Sequence, residues 1–212
     1  MKTINKKLAR KVLEVVDKGL VKGLGNPQPG KMCVEAAVNY AMGLPHGDSP
    51  QCVGRSVREF KIALNDSYWS SDKARTKGLR KLAIAQLGSD TLDQDEFVKK
   101  LGYWCMTTVL PLIVGNALKE DAENEFVKKN VDSKQLEVVV SQLEKAKTFK
   151  EAKMFVRQIR DIYYAYAYAY AYAYSLKNPR FTDKILNLIA QAGLDTLIEM
   201  KSPGVKWLDI CE

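Results

Sequence analysis

The sequence predicts an all-α multi-helix bundle with one long Tyr/Ala-rich helix near its C-terminus. Three observations predict it. Apolar residues recur at helical spacing in segment after segment, as in Val53, Val57, Phe60 and Leu64. Caps and Gly/Pro breakers punctuate those segments. Strand-like alternation occurs in one run only, YYAYAYAYAYAY from Tyr163 to Tyr174, and its small residue is alanine. Alanine is the best helix former and a poor strand former, so that run is read as helix; the alternative is an edge strand pairing between chains, an aggregation hazard with so little charge.

The elements follow in order. Residues 4–22 read as an amphipathic helix with Leu8, Val12, Val15 and Val16 inward, and Gly23, Gly25, Pro27, Pro29 and Gly30 break it. Residues 31–42 form a short Ala/Val helix, stopped by the loop GLPHGDSP at 43–50. Residues 52–64 form the clearest helix. The next opens at the N-cap residues Ser70–Ser71 and runs to Leu87. Asp93 and Glu96 form a capping-box pattern ahead of helix 94–118. The run Leu101–Leu118 only just reaches membrane-span length, and a buried core helix kinked at Pro111 is expected instead of a span. Helices at 134–147, 149–176 and 183–200 follow, and the tail packs back through Trp207 and Leu208. Residues 1–90 are expected to be a basic bundle carrying the site, and 91–212 a helical region packed into one unit with it.

The 212 residues carry a net charge of +8, unevenly spread. Residues 1–81 hold 16 Lys/Arg against 7 Asp/Glu, and the remainder holds 17 against 18. A basic N-terminal portion points to an anionic partner. The N-terminus has no continuous apolar core, so no secretory signal is expected, and four cysteines without CxxC spacing fit reduced cytoplasmic thiols.

Chemistry-bearing residues concentrate in GKMCVEAAVNYAMGLPHGDSPQCVGRSVREFKIALND, Gly30 to Asp66. Cys33, Glu35, His46, Asp48 and Cys52 are metal-ligand types, but their separations match no zinc module, and no metal is assigned. Glu35, His46, Asp48 and Asp66 would suit a small hydrolase, without a signature spacing behind them. Anion binding is the leading reading. Lys31 sits at a helix start; Arg55, Arg58 and Lys61 are expected to project from one helix, and Lys73, Arg75, Lys77 and Arg80 from the next. Tyr68 and Trp69 lie between these helices, where an aromatic can stack on a base. The competing reading pairs these cations with Glu35, Asp48, Glu59 and Asp66.

The Gly30–Asp66 segment, NDSYWSSDKARTKGLRKLAIAQLGS, the Ala/Tyr run and the ending LIEMKSPGVKWLDICE together resemble a group of all-α proteins of bacteria and their phages. This chain departs from them in its strict Tyr-Ala alternation. The resemblance implies an all-α fold and a bacterial or phage setting, and it implies no activity or cofactor. The expected function is a cytoplasmic, non-enzymatic binding protein. It would hold a nucleotide or nucleic acid with Lys31, Arg55, Arg58, Lys73, Arg80 and Trp69, and form a homo-oligomer through the Tyr/Ala helix. A phage protein of this kind would sequester a host nucleotide signal. No membrane partner is expected. A structural protein without a ligand is the other alternative to the hydrolase.

Overall fold

The computed structural model describes residues 4–120, 132–159 and 179–212. The described residues are all-α. Helices α1 Lys6–Val16, α2 Val34–Met42, α3 Arg55–Asn65 and α4 Asp72–Ala85 come first. Then follow α5 Gln94–Trp104, α6 Leu110–Glu120, α7 Ser133–Glu144, α8 over 149–159, and α9 Pro179–Glu199. Among the described residues there is no strand, only an isolated antiparallel bridge between Gly25 and Met32. The chain divides into two compact units: Met1–Val98 with Thr182–Glu212, and Lys99–Phe181.

In the first unit α1 packs on α2 and α4, and α4 packs on the 3-10 segment Pro203–Cys211. Predicted caps hold. Ser71 Oγ accepts from Ala74 N, and Asp93 Oδ1 accepts from the amides of Asp95 and Glu96. Helix α1 is shorter than predicted. Its chain leaves the helix after Asp17: the Lys18 and Gly19 amides close tight turns on the Val15 and Val16 carbonyls, and then Leu20 N–H goes to Thr76 Oγ1 and Val21 N–H to Met32 O. The tail packs back as predicted, with Trp207 buried. Gly204 is required there, because a Cβ on it would stand 2.1 Å from the Ile84 carbonyl oxygen.

The second unit is built on Val114, Leu136, Val139, Leu143, Ala146, Ala152 and Ile159, with Tyr103, Met106 and Leu110 packed against them. Tyr103 donates its hydroxyl to the Ala146 carbonyl. Residues Cys105–Val109 form a π-helical turn just before Pro111, and the Leu110 amide reaches back to the Cys105 carbonyl. Proline has no N–H and clashes with the carbonyl four residues back, so the extra residue in this turn accommodates it.

The central helix differs from expectation in two ways, its length and its burial. The longest described helix is central, Gln94–Asn116 with 23 residues, rather than C-terminal. The Tyr/Ala run Tyr163–Tyr174 lies outside the described residues. The central helix is also less buried than predicted: 22% of its most apolar stretch is inside the protein, and only that one helix is long and apolar enough to cross a membrane among the described residues.

Candidate functional site

The Gly30–Asp66 segment folds around a fully buried ion pair. Helix α2 is buried along nearly its whole length, and its second residue is Glu35. Lys61 lies on α3 one turn after Val57 and one turn before Leu64, so it falls on the apolar stripe and turns inward. Its Nζ stands 3.2 Å from Glu35 Oε1, and neither side chain has solvent exposure. The prediction that Lys61 projects outward is therefore corrected. Burial drives the Glu35 carboxyl up and the Lys61 ammonium down, and each partner opposes the shift of the other. Around the pair, Gln86 and Asn39 are also buried, and the Glu35 carboxylate, Lys61 Nζ, both Gln86 side-chain polar atoms and Asn39 Oδ1 lack a well-aligned hydrogen bond among the described residues.

Three of the four proposed hydrolytic residues meet here. Glu35, Asp48 and Asp66 line one small cavity with Cys33 and Asn65. Its volume is about 20 Å³, room for a single water and not for a substrate. His46 is turned away, with Nε2 3.1 Å from the Gly25 carbonyl oxygen. Asp66 Oδ1 is occupied as an acceptor from Gly23 N–H and Asn65 Nδ2, both at 2.8 Å. Cys33 caps α2, its Sγ accepting from Ala36 N–H, and the Cys52 thiol faces Met42 Sδ. Burial raises both thiols above the ordinary cysteine range, which keeps them protonated and unreactive. Among the described residues no three His, Cys, Asp or Glu side chains are grouped as metal ligands.

The predicted anion-binding residues divide into separate groups. Lys31 is exposed ahead of α2. Arg55 and Arg58 open α3, where Arg55 Nε donates to Glu59 Oε1 at 2.8 Å. Trp69 is only 7% exposed; its Nε1–H caps α3 at the Leu64 carbonyl and its ring lies against Gly78, leaving no open face for a base. Arg75 is buried too, donating to the Asn65 carbonyl and pairing with Asp72. Tyr68 is the exposed aromatic of the pair, with Lys22 Nζ 4.4 Å above its ring.

A basic groove lies beside them, between α4 and α9. Its lining includes Lys77, Arg80 and Lys81 on one wall, Asn187 and Gln191 on the other, and a floor of Leu82, Ala190 and Leu194. The volume is about 410 Å³, and no carboxylate lines it. Arg80 is anchored: Nε and Nη2 donate to Asp17 at 2.6 and 3.0 Å, and Nη1 to the Cys211 carbonyl. The bond to Asp17 holds its guanidinium charged. Lys73, Lys77 and Lys81, one turn apart on α4, are exposed and make no ion pair among the described residues. A second hollow of about 420 Å³ has Lys6 and Arg10 but also Glu14, Asp17 and Asp209, so its charge is balanced.

No protein family matches this chain, and neither does a curated protein or a solved structure. The buried pair and the basic groove are the two places where this chain's own residues point to a function. The competing reading of the sequence offered Glu35 as a partner for the clustered cations, and the burial of Lys61 was legible only in its place within an apolar stripe. The α9 wall of the groove had no signal in the sequence, since Asn187 and Gln191 are ordinary exposed positions of an amphipathic helix.

Proposed function

We propose that the first unit is a non-enzymatic binding module for a phosphate-bearing ligand, a nucleotide or nucleic acid, held in the groove between α4 and α9. The observation that carries this reading is a groove of about 410 Å³ with three cations on its wall and no carboxylate. Two of those cations, Lys77 and Lys81, have their ammonium groups uncommitted to a carboxylate among the described residues, while Arg80 is fixed in place by Asp17. Phosphate oxygens suit such donors, and the volume falls in the range of ligand pockets, about 300–1,000 Å³. Lys73 extends the stripe toward the start of α4. Of the residues expected from the sequence, Lys73 and Arg80 thus belong to this reading, whereas Lys31, Arg55 and Arg58 act at most as a surrounding positive field.

A hydrolase at Glu35 is not supported, because its cavity admits only water. Self-association through Tyr163–Tyr174, and sequestration of a host nucleotide in a phage setting, remain part of the proposal. Light scattering of a variant with Tyr166 and Tyr170 replaced tests the first: an unchanged mass removes it. Calorimetric titration with pyrophosphate and with a single-stranded oligonucleotide tests the ligand. The Lys77→Ala/Lys81→Ala double variant should lose at least tenfold in affinity, and Arg55→Ala should bind as the parent does. Equal binding by the double variant refutes the groove.

A further inference from the structure

Resting on that phosphate-binding reading, we propose that the groove takes a mononucleotide whose base carries an exocyclic amino group. The first argument is shape. A volume of about 410 Å³ fits a single nucleotide, and inorganic phosphate alone would leave most of it unfilled. The second is the division of the walls. Cations stand on the α4 side, while Leu82, Ala190 and Leu194 form an apolar floor against which a base can lie.

The third argument is the orientation of the two amides. Asn187 Nδ2 donates 2.7 Å to the Asp183 carbonyl oxygen, one turn back on α9. Gln191 Nε2 donates 2.8 Å to Asp195 Oδ1, one turn ahead. Both partners are pure acceptors, so each amide must present its nitrogen to them, and neither can flip without losing its bond. Each amide then keeps its carbonyl oxygen and one N–H for other partners. Asn187 Oδ1 is aimed at α4, 3.1 Å from where a Cβ on Gly78 would stand. The fixed Asn187 Oδ1, turned toward α4 beside an apolar floor, is an acceptor for a donor on the base. A 6-amino purine donates to it. A 6-oxo purine sets an acceptor in place of that amino donor and keeps a donor only at the neighbouring N1–H, so the two bases meet the wall with opposite patterns.

The test is calorimetric titration of the full chain with ATP, ITP and tripolyphosphate. ATP and ITP differ at the purine 6-position, and tripolyphosphate has no base. The expected result is ATP binding at least tenfold tighter than either of the others, with the Asn187→Leu variant narrowing the gap to ITP. If ITP or tripolyphosphate binds as tightly as ATP, and Lys77→Ala/Lys81→Ala weakens all three, base recognition is overturned while the phosphate site stands. If none of the three binds the parent protein, or if the lysine variant binds them unchanged, both readings fall. The ATP and ITP comparison uses the unmodified chain, so it does not depend on a variant folding.

Discussion

Lys61 and Lys81 are the same residue on successive helices of one unit, and they face opposite physics. Lys61 is sealed in the core with a single carboxylate for company. Lys81 stands on the wall of an open groove whose other charged members are cations. The first is held by packing, and its charge is a cost that Glu35 offsets. The second gains little from the fold, and its charge is available to a partner. Charge clustering in the sequence therefore overstates the anion site: Lys61, Arg75 and Arg80 are drawn into the fold, while Lys73, Lys77 and Lys81 are left out of it.

Removing one half of the buried pair should have the largest effect. Lys61→Met leaves Glu35 buried alone and should destabilise the protein by about 3–5 kcal/mol in urea denaturation. Adding Glu35→Leu should recover most of that loss, because two apolar side chains replace two desolvated charges. A double variant as unstable as the single one would mean that the pair does more than neutralise itself.

Proton linkage sharpens the same point. With both partners present, the folded and unfolded states carry one proton between Glu35 and Lys61 near neutrality, whichever of the two holds it, so the pair contributes almost no slope of stability against pH. In Lys61→Met the folded-state pKa of Glu35, already raised by burial, loses its main opposing charge. The folded state then binds the proton above the ordinary value of 4.5 while the unfolded state releases it. Stability should be greatest below that value and fall as pH rises, by up to about 1.4 kcal/mol per pH unit. Denaturant melts at pH 5 and pH 7 would show it, and a flat profile would rule out a lone protonated Glu35.

The groove lysines should behave in the opposite way. Lys77→Ala/Lys81→Ala is expected to shift stability by no more than about 0.5 kcal/mol, measured by the same denaturation, since exposed positions without partners contribute little. A large loss would make those lysines part of the fold and would weaken the ligand reading. A stabilising effect is expected at the end of α9. Lys201 holds a left-handed conformation, φ 56°, while the Ser202 amide bonds back to the Leu197 carbonyl. Glycine is the residue this cap prefers, so Lys201→Gly should stabilise by roughly 1 kcal/mol in a thermal melt.

The helices themselves were largely legible. Ser71, Asp93 and the apolar stripe of α3 mark their starts and faces through local chemistry alone. The boundaries that failed were set from a distance. Helix α1 stops in a tight turn at Gly19, φ 121°, and past it Thr76 and Met32 give Leu20 and Val21 other acceptors, neither of them near in sequence. Trp69 read as a stacking residue because it is aromatic and sits between cationic helices; its burial against Gly78 is a matter of how α4 lies on the loop before it. The Tyr/Ala run remains a reading of the sequence, since it falls outside the described residues.

By itself the sequence determined the all-α class, most helix positions and the basic character of the first 81 residues. These follow from periodicity, capping and composition, which act over a turn or two of chain. Tertiary structure decided which charges are spent and which are free. Glu35 finds Lys61 26 positions later, Arg80 finds Asp17 63 positions earlier, and residues of α9 form the second wall of the groove more than a hundred positions from the first. A lysine's worth depends on whether packing strips its water and what stands beside it afterwards, and only the folded chain fixes both.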